Sequence, residues 1–100
     1  MKQLIERIKE CARYDRGTDS DMFAYLAEEV GEVATCLSVK NGLKKRELKE
    51  PMESELCDVI NAAIGLILRN PEWDYSKILE TMGQKLTKWE ETVKLRNKKK

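Results

Sequence analysis

The stretch from Glu55 to Leu68, ELCDVINAAIGLIL, constrains the fold of this chain more than any other. Wound as a helix, its residues Leu56, Val59, Ile60, Ala63, Ile64, Leu66, Ile67 and Leu68 cover most of the circumference, and Glu55, Asp58 and Asn61 interrupt that cover on one side. So apolar a helix has to lie against other helices or another chain. Ala62 and Gly65 occupy the interrupted side and are small enough for a helix or a ligand to approach closely.

The remaining segments supply helices to pack against it. Strand signals are few, because β-branched and aromatic residues are scattered and no apolar/polar alternation lasts. A first helix is predicted from about Lys2 to Tyr14, with Leu4, Ile5, Ile8, Cys11 and Ala12 on its apolar face, and RGTDSD breaks it. Ser20 or Asp19 is the expected cap of a second helix reaching about Val39, in which Phe23, Leu26, Ala27, Val30, Val33, Ala34 and Leu37 recur at three- and four-residue steps. Asn41-Gly42 stops it. LKKRELKE reads as a polar loop or frayed turn, and Pro51 opens a third helix that reaches about Arg69. After the break NPEWD, Asp74 or Ser76 can cap a fourth helix from Tyr75 to about Leu95, with Ile78, Leu79, Met82, Leu86, Trp89 and Val93 in period. The expected architecture is all-α: one four-helix domain over residues 1–96, followed by a basic frayed tail at 97–100.

Charged residues make up 37% of the chain but nearly cancel, 19 basic against 18 acidic, so no global field draws it onto nucleic acid or anionic lipid. The basic clusters GLKKRELK and KLRNKKK read as solubilising segments, which makes nucleic acid an improbable partner. No apolar run approaches the roughly 20 residues that span a bilayer, and MKQLIERIKE has no signal-peptide block, so a cytoplasmic protein without membrane association is expected. Cys11, Cys36 and Cys57 are odd in number and lack metal-type spacing, as reduced and mostly buried thiols would. Histidine is absent. Serine and cysteine triads that use it, the HExxH zinc site and the ExxH di-iron motif are therefore excluded. Metal chemistry here would rest on oxygen ligands, which suits Mg2+ or Mn2+.

Two acidic pairs stand out. Glu29 and Glu32 share a sector at the border of the second helix's apolar stripe, which centres near Leu26, Val30 and Leu37, while Glu28 turns toward solvent. Glu55 and Asp58 share a face of the third helix. Like charges three residues apart repel by roughly a few tenths of a kcal/mol, and more when two pairs face each other in a groove. One such pair alone is ordinarily a solvated helix face. Two on neighbouring core helices call for neutralisation, and a hard divalent cation with open positions for phosphate oxygens does it efficiently.

These residues carry a family resemblance. EEVGE, Glu28 to Glu32, followed after 22 residues by ELCD, Glu55 to Asp58, resembles the EExxE and ExxD motifs of the MazG-like all-α nucleoside triphosphate pyrophosphohydrolases. The flanking patterns AYLAEEVGEVATCL and ELCDVINAAIGLIL are similar too, whereas the first and fourth helices correspond in length and order alone. The resemblance implies hydrolysis between the α- and β-phosphates of a nucleoside triphosphate, with Mg2+, or Mn2+ in its place, held by Glu29, Glu32, Glu55 and Asp58 as the catalytic set. It also implies substrate contacts from Glu28, Asn61, Lys85 and Lys88, and a four-helix bundle completed as a homodimer or homotetramer. Phe23, Tyr25 and Trp89 are candidates to stack a base, and the aromatic set of a pyrimidine-specific member is missing. Phosphoribosyl-ATP pyrophosphohydrolases share the architecture and form an alternative. A non-enzymatic helical interaction module is the rival from another class, and it predicts no cation dependence.

Overall fold

In a computed structural model, which describes residues 1–43, 45, 47–48 and 50–98, the chain forms four α-helices: α1 (Lys2–Tyr14), α2 (Asp19–Lys40), α3 (Met52–Leu68) and α4 (Tyr75–Lys98). No strand occurs among the described residues. Among the described residues, no helix is long and apolar enough to cross a membrane. The chain divides into two compact units, residues 1–70 and 71–100.

In the first unit α3 packs against both α1 and α2. The direction of α1 follows from its contacts: Arg69 Nη1 donates to the Ala12 carbonyl at 3.4 Å, and a methyl built on Gly65 would lie 3.7 Å from Ile8 Cγ2. The two helices therefore run parallel, with Ala12 level with the end of α3 and Ile8 level with Gly65. The same methyl would lie 3.9 Å from Met22 Cε, and α2 runs the opposite way, bringing Glu29 to Asp58. Ile5 and Ala12 of α1, Cys36 of α2, and Ala62, Ile64 and Leu68 of α3 are buried.

Local chemistry sets the helix ends. Thr18, rather than Ser20 or Asp19, caps α2: its hydroxyl accepts from the Asp21 N–H at 3.1 Å and the Asp21 carboxylate accepts from the Thr18 N–H at 2.9 Å. This reciprocal box satisfies two donors that a helix start leaves free, an advantage neither Ser20 nor Asp19 would gain one or two residues later. At the other end Gly42 takes φ 75°, and Leu43 and Gly42 donate to the Ser38 and Val39 carbonyls at 2.8 and 3.1 Å. That left-handed residue closes the helix where Asn41-Gly42 predicts a stop. Pro51 is the N-terminal flank of α3. Of the segment 43–50, residues 44, 46 and 49 lie outside the described residues, and those described there are not helical.

The loop between α1 and α2 is held by Arg69. Its guanidinium donates to the Asp19 carboxylate at 2.7 Å and to the carbonyls of Gly17, Ala12 and Asp15. Four acceptors on one rigid fork pin RGTDSD to the end of α3.

Two expectations need correcting. The side of α2 turned to α3 is not centred on Leu26, Val30 and Leu37. It carries Met22, Glu29, Val33 and Cys36, rotated by about one-fifth of a turn, and it leaves Phe23 and Val30 61% and 51% exposed. Glu29 consequently belongs to the packed side rather than its border. Nor are the cysteines mostly buried: all three are free, but Cys11 and Cys57 are exposed, the former because that side of α1 faces a groove.

In the second unit Asp74, not Ser76, caps α4 by accepting from the Lys77 N–H at 2.9 Å. Lys77 Nζ stands 4.7 Å from the Trp73 ring centroid, a cation–π contact that ties the NPEWD turn to the first turn of the helix. α4 continues to Lys98, three residues past the expected end, and the rest of the expected frayed tail, residues 99–100, lies outside the described residues.

Candidate metal centre

The carboxylates of Glu29, Glu55 and Asp58 converge where α2 crosses α3. One oxygen from each lies within 4.8 Å of the others, and all three side chains are half-buried. Antiparallel packing produces this grouping: Glu55 and Asp58, one turn apart, present a common face to the α2 position that carries Glu29. Oxygen-only donors at such spacing fit a hard divalent cation with positions left for water or phosphate.

Among the described residues, the charges that act on Glu29 and Glu55 are negative. Partial burial raises the Glu29 carboxyl above its ordinary 4.5, the Asp58 charge raises it further, and a hydrogen bond from the Tyr25 hydroxyl offsets part of the rise. Glu55 is also raised, by partial burial and then by the charges of Glu50 and Glu32. Tyr25 is raised from 10.0 by partial burial and by the charges of Glu29 and Asp58, so its hydroxyl remains a proton donor to the cluster.

Glu32 is exposed and stands outside the three-carboxylate group, although its charge acts on Glu55. Glu28 is exposed, as its position on the helix predicts. Asn61 is exposed and, among the described residues, has no hydrogen-bond partner, so the alternative of an interhelical amide bond is not realised. Lys85 and Lys88 are exposed on α4, in the second unit.

Two depressions flank the cluster. A groove of about 330 Å³ between α1 and α2, floored by Ala62 and Gly65 of α3, shares Asp58 with it and places Asn61 and Tyr25 beside it. A cleft of about 340 Å³ on the other side shares Glu55 and adds Glu32, Glu47 and Glu50. Sequence patterning misses Arg7, which lines the groove, and Glu50, which acts on Glu55. Arg7 falls in step with Leu4, Ile8 and Cys11 on the groove-facing side of α1, a periodicity that the search for apolar stripes passes over in a charged residue. Glu50 precedes the helix and carries no periodic signal. No protein-family model matches this chain, and neither a curated protein nor a solved structure matches it.

Proposed function

We propose that the protein is a divalent-cation-dependent nucleoside triphosphate pyrophosphohydrolase of the MazG-like kind, releasing a nucleoside monophosphate and pyrophosphate. The observation that carries this is the meeting of Glu29, Glu55 and Asp58 within 4.8 Å, with Asp58 also lining a groove of nucleoside size. The motif resemblance, EEVGE with ELCD, contributes these three residues and Glu32.

Glu29, Glu55 and Asp58 are the cation ligands, and the motif resemblance adds Glu32 as the fourth acid of the set. Bound there, Mg2+ or Mn2+ would neutralise phosphate charge and acidify a coordinated water. Tyr25 holds Glu29 in place through its hydroxyl. In the reaction a water oxygen bonds to the α-phosphorus and the bond to the β-bridging oxygen breaks. The electron pair leaves with pyrophosphate and the water's proton passes to a carboxylate or to solvent. Glu28, Asn61, Lys85 and Lys88 belong to the proposal as substrate contacts, of which Asn61 alone lines the groove.

Assembly as a homodimer or homotetramer is part of the same proposal. It is supported by the apolar row left exposed on α2, Phe23, Val30 and Leu37, and by exposed Leu56, Ile60 and Ile67 on α3. The test is pyrophosphate release from a panel of canonical and modified ribo- and deoxynucleoside triphosphates plus phosphoribosyl-ATP, with Mg2+, with Mn2+ and with excess chelator. Cation-dependent monophosphate and pyrophosphate formation is expected, and no turnover on any member would favour the interaction module.

A further inference from the structure

We propose that Arg7 binds the α-phosphate of the substrate, with the nucleoside lying in the groove between α1 and α2. The inference rests on the pyrophosphohydrolase reading and adds a cation to the acids Glu29, Glu55 and Asp58. Among the described residues, Arg7 is the one cation that lines the groove, where it accompanies Leu4, Ile8, Met22, Tyr25 and Asn61. Among the described residues it has no ion-pair or hydrogen-bond partner, although Asp58 lines the same groove.

Its position follows from the register of the helices. Ile8 is level with Gly65, so Arg7 is level with Ile64, and α1 runs parallel to α3. Six residues of rise separate that level from Asp58, about 9 Å along the axis. Helical side chains lean toward the N-terminus of their own helix, which on α1 is the direction of the carboxylate cluster. By that register the Arg7 side chain is directed toward the Asp58 end of the groove.

A nucleoside triphosphate has the matching order. Its terminal phosphates need the cation held by the carboxylates, its nucleoside needs apolar walls, and the α-phosphate lies between them. A guanidinium fork can hold two non-bridging oxygens of that phosphate, offsetting charge on the phosphorus that water attacks. Because the α-phosphate stays with the product, Arg7 grips the monophosphate as well as the triphosphate.

Titration calorimetry of the full chain in Mg2+ tests this, with the α,β-methylene triphosphate, the monophosphate and the free nucleoside of each common base in ribo and deoxy form. The series bound most tightly by the wild type carries the comparison. Arg7→Ala should weaken the triphosphate analogue and the monophosphate by roughly 10- to 100-fold while leaving nucleoside affinity unchanged, and Arg7→Lys should recover part of the loss. Arg7 is exposed, so a thermal melt matching the wild type is expected for both variants. Unchanged monophosphate binding in Arg7→Ala, or an equal loss for the nucleoside, would overturn the assignment while leaving the pyrophosphohydrolase reading intact. A wild type that binds no triphosphate analogue in Mg2+ would overturn both.

Discussion

The first turn of α2 and its middle both carry acid, and the chain treats the two regions in opposite ways. At the start, Asp19 accepts from Arg69 and Asp21 closes a box with Thr18. The Thr18 N–H and then its hydroxyl hold the Asp21 carboxyl below its ordinary 3.8. Two to three turns later Glu29 meets Asp58 and Glu55, has one donor in Tyr25, and is pushed the other way. Acids whose partners are supplied by the chain stabilise it. Acids left to face one another cost stability, and such unfavourable groupings are where function concentrates.

The sharpest way to break the comparison is to remove the clustered acids. Asp58→Asn and Glu29→Gln should each lower pyrophosphohydrolase turnover on the order of 100-fold or more without unfolding the protein, read by steady-state kinetics beside circular dichroism. Wild-type rates in both would sink the metal-centre assignment. At the partnered end the effect should reverse in kind, with stability lost rather than chemistry. Arg69→Ala strips Asp19 and three carbonyls of their donor at a side chain 18% exposed, and should cost about 2 kcal/mol. Chemical denaturation measures it, and an unchanged midpoint would show that the loop between α1 and α2 is held by other means.

A smaller loss is expected at the cap. Thr18→Ala removes the hydroxyl that Asp21's N–H uses and should cost about 1 kcal/mol. It should also flatten the acid limb of the stability profile, because the depressed Asp21 carboxyl contributes stability above its ordinary value and loses it as pH falls through the folded one. A variant with the wild-type acid limb would mean that the backbone bonds alone set that carboxyl.

Much of this contrast is legible in the amino-acid pattern. The run from Glu55 to Leu68 marks an apolar helix with three polar interruptions, and Glu55, Asp58 and Glu29 are the residues that meet. Helix periodicity places carboxylates on faces, and two faces with acids one turn apart have few ways to pack without joining them. The rotation of α2 is not legible, because the apolar row of Phe23, Val30 and Leu37 is stronger in the sequence than the mixed row that contacts α3. Hydrophobic patterning counts apolar side chains but not which neighbour they meet. Arg69 is invisible for a related reason: three of its four acceptors are backbone carbonyls more than fifty residues away, which no residue type announces.

The smallest expected effect carries the opposite sign and bears most directly on the comparison. In the metal-free protein, raised Glu29 and Glu55 carboxyls mean that the folded chain binds more protons than the unfolded one just above pH 4.5. Stability contributed by the cluster therefore falls as pH rises through that window, the reverse of the Asp21 behaviour. Glu29→Gln removes one of the repelling charges, so in excess chelator at neutral pH its melting temperature should lie slightly above that of the wild type. Added Mg2+ should then raise the wild-type melting temperature and leave Glu29→Gln nearly unmoved, because a ligand that binds the folded state alone stabilises it by mass action. Scanning calorimetry at several pH values, with Mg2+ and with chelator, separates the cases. A Glu29→Gln protein that melts below the wild type in chelator would show that Glu29, held by Tyr25, supports the fold as Asp21 does, and the two regions of α2 would no longer be opposites.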